Sequence, residues 1–137
     1  MSLFRVFDIS GSAMQAQSVR LNTIASNMAN ADVVGSSPDA VYRARHPVFS
    51  SMFDETLQGR RAAGVRVDEI VESFAEPRRE FSPDHPKADE EGFIYRSNVN
   101  SVDEMANMIS ASRSYQSSIK AIETSKQLII RTLNLGK

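Results

Sequence analysis

Apolar residues recur every seven positions near both ends of the chain. Near the N-terminus the row is Phe7, Met14, Leu21 and Met28. Leu3, Ile24 and Ala31 fill a companion row whose other places hold Ser10 and Gln17. Toward the C-terminus one row is Met105, Ser112, Ile119, Lys126 and Leu133, and its companion is Met108, Tyr115, Ile122 and Ile129. A seven-residue apolar repeat marks a helix that meets another helix along a seam. The pattern predicts one helix from Leu3 to about Ala31 and another from Ser101 to Leu135. At ~1.5 Å per residue these would be roughly 40 and 50 Å long, several times the ~11–12 residues of an ordinary globular helix.

Local signals agree with these bounds. Ser101-Val102-Asp103-Glu104 reads as a capping box, with the hydroxyl and the carboxylate satisfying orphan backbone donors. Asp103 and Glu104 also suit the positive end of the helix dipole. Arg131 falls in the last turn and Gly136 is a natural stop, whereas Gly11 is a local weakness in the first helix. The polar face of the first helix is unusual. Between Ile9 and Ala31 its one charge is Arg20, amid Ser12, Gln15, Gln17, Ser18, Asn22, Thr23, Ser26, Asn27 and Asn30. A helix facing water normally carries mixed charges there. Uncharged amides and hydroxyls are cheaper to bury, so this face is expected to be covered in the working state.

The middle, from about Asp32 to Asn100, holds four of the six glycines and all five prolines. Gly35-Ser36-Ser37-Pro38-Asp39 signals a loop. Val41-Tyr42-Arg43-Ala44-Arg45, Val65-Arg66-Val67 and Phe93-Ile94-Tyr95 are strand candidates. Glu76-Pro77, Ser82-Pro83 and His85-Pro86 interrupt continuous strands. The expected organisation is α+β: an N-terminal axial helix over 1–32, a small irregular β-rich insertion over 33–100, and a C-terminal helix over 101–137 that pairs antiparallel with the first. Ser10, Gln17, Ser112 and Lys126 interrupt the seams, so the pair is expected to be loose at its termini until it assembles.

Composition narrows the function. The 137 residues carry a formal net charge of −1, and a phosphate-binding surface would need clustered Lys and Arg. The closest run, Arg60-Arg61, has no aromatic neighbour to stack a base and reads as a solvated loop. There is no cysteine, hence no disulfide or thiolate metal site. No apolar run approaches the ~20 residues of a membrane span. The first residues lack a cleavable leader, which predicts a cytoplasmic protein or one that leaves without signal cleavage. Aromatics make up 7 % of the chain and there is no Trp. The apolar content is therefore rich in Ala, which builds a thin core.

Candidate chemistry is sparse. His46 and His85 each precede a proline and lack metal-ligand spacing. The acidic segment Asp84 to Gly92 fails the alternating-ligand calcium template and reads as a turn before Phe93. No phosphate cradle or nucleophile elbow is present, and no catalytic residue, cofactor or metal is expected. A small enzyme using Asp84, Asp89 and Glu91 stays the least supported class.

Several stretches carry a family resemblance. Ala25-Ser26-Asn27-Met28-Ala29-Asn30-Ala31 resembles the SNxAN signature of bacterial flagellar rod and hook axial proteins, through Ser26, Asn27, Ala29 and Asn30. Tyr42-Arg43-Ala44-Arg45 with Val48-Phe49 is similar to the YRA/K–VVF stretch that follows it. Asn98-Val99-Asn100, Glu104-Met105 and Met108 to Tyr115 resemble the PNVN–EM–MI-A-R-Y pattern of a proximal rod protein of the basal body. The opening Ser2-Leu3-Phe4, Phe7-Asp8-Ile9 and Gly11-Ser12-Ala13, the stretches His85-Pro86 and Ala88 to Gly92, and the closing Thr132 to Gly136 match as well. Ser97 stands where the family usually has Pro, which predicts a looser approach to the last helix.

The resemblance implies a structural subunit of the proximal rod, the drive shaft, exported unfolded through the flagellar type III export apparatus without signal cleavage. Implied partners are the other rod proteins FlgB, FlgF and FlgG, the rod adaptor FliE, the MS ring and copies of the chain itself. Neither nucleic acid nor direct membrane insertion is implied. The expected subunit-packing residues are Phe7, Met14, Leu21, Ile24, Met28, Met105, Met108, Tyr115, Ile119, Ile122, Ile129 and Leu133, with close helix approach at Gly11, Ala25 and Ala29. The alternative is a soluble helical-hairpin adaptor or chaperone of an export system.

Overall fold

The computed structural model describes residues 3–56 and 59–135. Two long helices bracket five strands, the α+β class expected. In chain order they are α1 (Leu3–Ala29), β1 (Val34–Gly35), β2 (Arg45–Thr56), β3 (Gly59–Glu72), β4 (Arg78–Phe81), β5 (Phe93–Arg96) and α2 (Ser101–Leu135). Ser2 and Gly136 lie outside the described residues. The 27 residues of α1 hold no Pro and only Gly11 as a weak helix former. That helix ends without glycine. The Asn30 side-chain amide and backbone N–H both donate to the Ser26 carbonyl, which closes the last turn.

The chain divides into two compact units. One is built from Asn22–His46 and Ile70–Met108, the other from Met1–Leu21, Pro47–Glu69 and Ile109–Lys137. The start of α1 thus shares a unit with the end of α2, and the end of α1 with the start of α2.

The first unit contains a three-stranded antiparallel sheet in the order β1-β5-β4. Val34 faces Arg96 across the β1–β5 pair, and Phe81 faces Phe93 across the β4–β5 pair. Ile94 in the central strand is almost fully buried, while all of β4 is exposed. Exposed faces are held by side chains. Arg96 pairs with Glu80, Arg79 pairs with Glu91 at 2.6 Å, and the Phe81 and Phe93 rings meet edge to face. The core cluster is small: Ala31, Ala44 and Val99, with Tyr42 packed against it.

The second unit contains most of the β2–β3 hairpin, whose strands run 12 and 14 residues. Regular strands of this length differ from the irregular insertion expected. Arg60 and Arg61 lie in β3 rather than in a loop; their side chains are outside the described ones. The hairpin approaches α1 closely at Ser12. The Val65 N–H donates to Ser12 Oγ at 3.2 Å, and that hydroxyl donates to the Ile9 carbonyl at 2.8 Å. Gly64 beside it has φ 152°, and a Cβ there would collide with the Ser12 hydroxyl. Backbone conformation and proximity both demand glycine.

The strand expected over Val41 to Arg45 begins only at Arg45. Side-chain bonding explains this, because the Ala44 N–H donates to Asn98 Oδ1 at 2.7 Å, in place of a strand partner. β1 and β4 were not expected at all. Both are short, and both owe their pairing to β5, which is remote in sequence.

Candidate functional site

The family-motif residues converge on one polar junction inside the first unit. Its centre is Asn27, 1 % exposed, on the last turn of α1. Asn27 Nδ2 donates to the Arg45 carbonyl at 2.8 Å and to Glu104 Oε2 at 3.1 Å. Asn27 Oδ1 accepts from the Arg45 N–H at 2.9 Å and from the Tyr42 hydroxyl at 2.8 Å. A primary amide has two donor hydrogens and two acceptor lone pairs, so every one is used. The Tyr42 hydroxyl shares a further bond with Ser26 Oγ at 3.3 Å. One side chain thereby ties α1, the start of β2 and the start of α2.

Asn98 makes a second clamp. Its Oδ1 accepts from Ala44, and its Nδ2 donates to the Ala75 carbonyl at 2.8 Å. Val99 is buried in the core cluster, and its carbonyl accepts from Arg78 Nη2 at 3.0 Å. Asn100 caps α2: its Oδ1 accepts from the Val102 N–H at 3.1 Å. The cap is therefore Asn100 and not Ser101. Glu104 is 5 % exposed and accepts from Asn27 rather than reaching back to a Ser101 cap. A capping box read from the sequence alone could not know that the carboxylate had a tertiary partner.

Ser97 does not loosen the approach to α2. It is fully buried, its hydroxyl accepts from the Val99 N–H at 3.2 Å, and its own N–H donates to the Val33 carbonyl at 3.3 Å. A proline at 97 lacks that donor, so serine adds a tie here. Of the motif residues, Ala29 and Asn100 are exposed; Asn100 caps α2, and Ala29 takes no part in the junction.

The helix rows form the second set. In both helices the most buried positions sit beside the large apolar rows. In α2, Glu104, Ala111 and Ser125 are buried, seven or fourteen apart, with Ser118 half-buried between them. In α1, Ser10, Ala16, Thr23, Ile24 and Asn27 are buried. Phe7, Met14, Leu21 and Met28 are half-buried, as are Met108, Tyr115, Ile119, Ile122 and Ile129. Met105 and Leu133 are 54 % and 67 % exposed. Small side chains let backbones approach closely, so they take the centre and push the larger ones to the flanks.

The charge-poor face of α1 divides. Thr23 and Asn27 are buried, and Ser12 and Ser26 are half-buried with bonds inside the chain. Gly11, Gln15, Ser18, Asn22, Ala25 and Ala29 form an exposed, uncharged stripe at helical spacing.

Both sets are made of groups engaged in contacts. Amides do not titrate, and Glu104 is engaged by Asn27. The acidic loop is a turn: Asp89 Oδ1 accepts from the Glu91 and Phe93 N–H groups at 3.0 and 2.8 Å, and Gly92 has φ 82°. His85 Nδ1 accepts from the Lys87 N–H at 3.1 Å, and His46 lies exposed on β2. Among the described residues, no three His, Cys, Asp or Glu side chains group to hold a metal ion, and no helix is long and apolar enough to cross a membrane.

Known proteins match this sequence. The family described as "Flagella basal body rod protein" matches residues 7–35, which span most of α1. "Flagellar basal body rod FlgEFG protein C-terminal" matches residues 90–135, which span β5 and α2. The class is thus that of rod components defined by their two terminal helices. Three curated relatives carry the name flagellar basal-body rod protein FlgC. The one from Yersinia enterocolitica is 46 % identical, and that of Salmonella typhimurium 43 %, each over 100 % of both chains. The one from Aquifex aeolicus is 37 % identical over 100 % of this chain and 99 % of its own. The chain belongs to the FlgC family of flagellar basal-body rod proteins.

Proposed function

We propose that this chain is a structural subunit of the proximal rod of the bacterial flagellar basal body, part of the shaft that transmits torque. Family membership supports the rod assignment, and the helix rows support the mode of assembly. The observation that carries the reading is the uncovered apolar surface of α2: Met105, Ile109, Leu128, Ile130, Leu133 and Leu135 are all exposed. Large apolar side chains left exposed in such number along one helix mark an interaction surface. The uncharged stripe from Gly11 to Ala29 gives α1 a face that loses little on desolvation.

In this reading the terminal helices of neighbouring subunits cover both faces and form a tubular inner layer. The neighbours are copies of this chain and other rod proteins, with a rod adaptor and the MS ring below. The chain reaches them through the flagellar export apparatus, without a cleaved signal, and crosses the periplasm as part of the rod. The Asn27 junction holds the two helices in one fixed pairing so that the packing rows present a single register. A transient export adaptor gains no support, because the relatives compared are named as rod components.

Leu21→Asp and Ile122→Asp test this. Both positions are half-buried packing residues. Each variant is expected to be expressed normally and to be missing from isolated basal bodies, with motility lost. Normal motility in both would refute the reading.

A further inference from the structure

Charge is divided between the two units. The unit built from Asn22–His46 and Ile70–Met108 holds six Lys and Arg against eleven Asp and Glu, a formal charge of −5. The other holds ten against six, a formal charge of +4. Pairing does not erase the difference. Arg45–Glu72, Arg79–Glu91, Arg96–Glu80 and Arg43–Asp39 each join two residues of the acidic unit and cancel there. Arg78 and Lys87 donate to backbone carbonyls, while Asp89 and Glu104 accept from N–H groups of the chain itself. What remains is Asp32, Glu76, Asp84, Glu90 and Asp103. All five are exposed, and among the described residues none of these carboxylates has a hydrogen bond or an ion pair.

The basic unit gathers its excess on α2. Arg113, Ser117, Lys120, Thr124, Gln127 and Arg131 follow one another at alternating steps of four and three. That spacing puts them on one side of the helix, and all six are exposed. Lys126 is exposed on the same stretch, where Glu123 is the one acid. None of the four bases has a hydrogen bond or an ion pair among the described residues. A helix face made for water mixes both signs. The helix dipole does not account for the bases either. Its effect fades beyond the last turn, and Arg113, Lys120 and Lys126 lie well before it. A stripe of one sign turns away its own kind and complements an acidic surface.

We infer that the Arg113–Lys120–Arg131 stripe of one subunit docks on the acidic unit of a second copy of this chain. Each copy carries the two signs on separate units, so the complement of the stripe is present on every neighbouring copy. The same division disfavours contact between like units, which sets the order in which copies meet. The inference rests on the rod reading and deepens it, because it names the part of a neighbouring copy that meets α2 beyond Ile109.

The experiment places p-benzoylphenylalanine at position 117 in one chain and at position 124 in another, and irradiates basal bodies isolated from cells carrying each. The expected product has twice the mass of the chain, and the linked peptide comes from residues 22–46 or 70–108. Adding Arg113→Glu and Lys120→Glu to the same chains lowers the product per basal body by about tenfold or more, whereas Arg113→Lys with Lys120→Arg keeps it. The reversed pair leaves the unfolding of the free chain nearly unchanged, since both side chains are exposed and unpaired there. A cross-link to a different protein, one to the basic unit of a copy, or an undiminished product from the reversed chains would each overturn the contact and leave the rod assignment standing. So would the lack of any product although the chains are in the basal body. Absence of the unaltered chain from the basal body would overturn both.

Discussion

The two units differ in what they bury. The unit built from Asn22–His46 and Ile70–Met108 encloses Ile24, Ala31, Val41, Ala44, Ile94 and Val99, together with Thr23, Asn27, Ser97 and Glu104. In the other, the described residues that are buried are Ser10, Ala16, Ala111 and Ser125. Fully burying an Ile or Val contributes about 1.5–3 kcal/mol, and a single methyl-sized group about 0.8. The first unit therefore draws its stability from an apolar core crossed by directional bonds. Among its described residues the second buries no side chain larger than Ser and leaves its Leu, Ile and Met half-buried or exposed. Under the proposed rod reading, neighbouring subunits would cover the second unit.

Removing the junction is the most severe way to break this contrast. Asn27→Leu deletes four hydrogen bonds, leaves the Arg45 N–H and carbonyl and one Glu104 oxygen without their Asn27 partner, and leaves the Tyr42 hydroxyl with Ser26 Oγ. Each stranded buried group costs about 1–3 kcal/mol, and a charged one more. Relaxation and water entry recover part of this, so a net loss of about 3–5 kcal/mol is expected by denaturant titration, on the scale of breaking a buried polar pair. Glu104→Gln keeps an oxygen to accept from Asn27 and is expected to cost less than about 1 kcal/mol. Equal losses in the two variants would show that the Glu104 charge matters more than the bond geometry.

In the second unit the corresponding test is Gly64→Val. Gly64 has φ 152°, where a branched side chain is strained, and its Cβ would meet the Ser12 hydroxyl. A loss of about 2–3 kcal/mol follows from the two effects together. Ser12→Ala on that background removes the collision and keeps the backbone strain, so it recovers only part. The comparison sharpens if amide exchange quickens in β2 and β3 while the Arg45 and Glu104 amides stay protected. Equal quickening in both units would mean that they unfold together.

The sequence carried the helices because their periodicity is a local property repeated over many turns. It carried β5 for a similar reason, since Phe93-Ile94-Tyr95 is apolar and bounded by turn residues. The junction was legible only as a list. Ser26, Asn27, Asn98, Asn100 and Glu104 were all singled out by resemblance, but nothing in their spacing says that a residue on α1 meets one on α2 across 77 positions. Glu104 was assigned to the helix cap because caps are local and tertiary partners are not. In α2 the buried positions lie one residue before the row read from the pattern, whereas in α1 Ser10 and Ile24 on the companion row are buried as read. Pattern reading gives the largest residues the centre of a seam, whereas close packing gives it to Ala111, Ser125 and Ala16.

A smaller effect is expected at the cap that the sequence placed one residue late. Asn100→Ala removes the acceptor for the Val102 N–H and should cost about 1 kcal/mol. Ser101→Ala at the neighbouring exposed position should cost close to nothing. Thermal unfolding of the two variants decides between the caps, and the reverse order would restore Ser101 to the role. Because α2 begins in the first unit and ends in the second, this variant also asks whether fraying at its start reaches Ile109 and beyond, which amide exchange along the helix reads directly.

The smallest effect is a pH dependence confined to the hairpin of the second unit. Hydrogen bonding from Ser50 holds the Asp68 carboxyl below the ordinary carboxylate range against an opposing effect of desolvation, with lesser help from the hydrogen bond and the charge of Arg66. Arg66 Nε lies 2.7 Å from Asp68 Oδ1 and 3.2 Å from Ser50 Oγ, so the three side chains form one exposed cluster across the two strands. A carboxyl whose folded pKa is lowered adds stability that is complete above its unfolded pKa and is lost as pH falls through the folded one. Pairing therefore supports the hairpin at neutral pH and stops doing so in strong acid. Exposed pairs of this kind are heavily screened, so the global unfolding transition should hardly move. The titration itself should be visible. Ser50→Ala is expected to raise the Asp68 midpoint toward the ordinary range in a carboxyl-detected NMR titration. An unchanged Asp68 midpoint would remove Ser50 from the cluster and leave Arg66 as its only support.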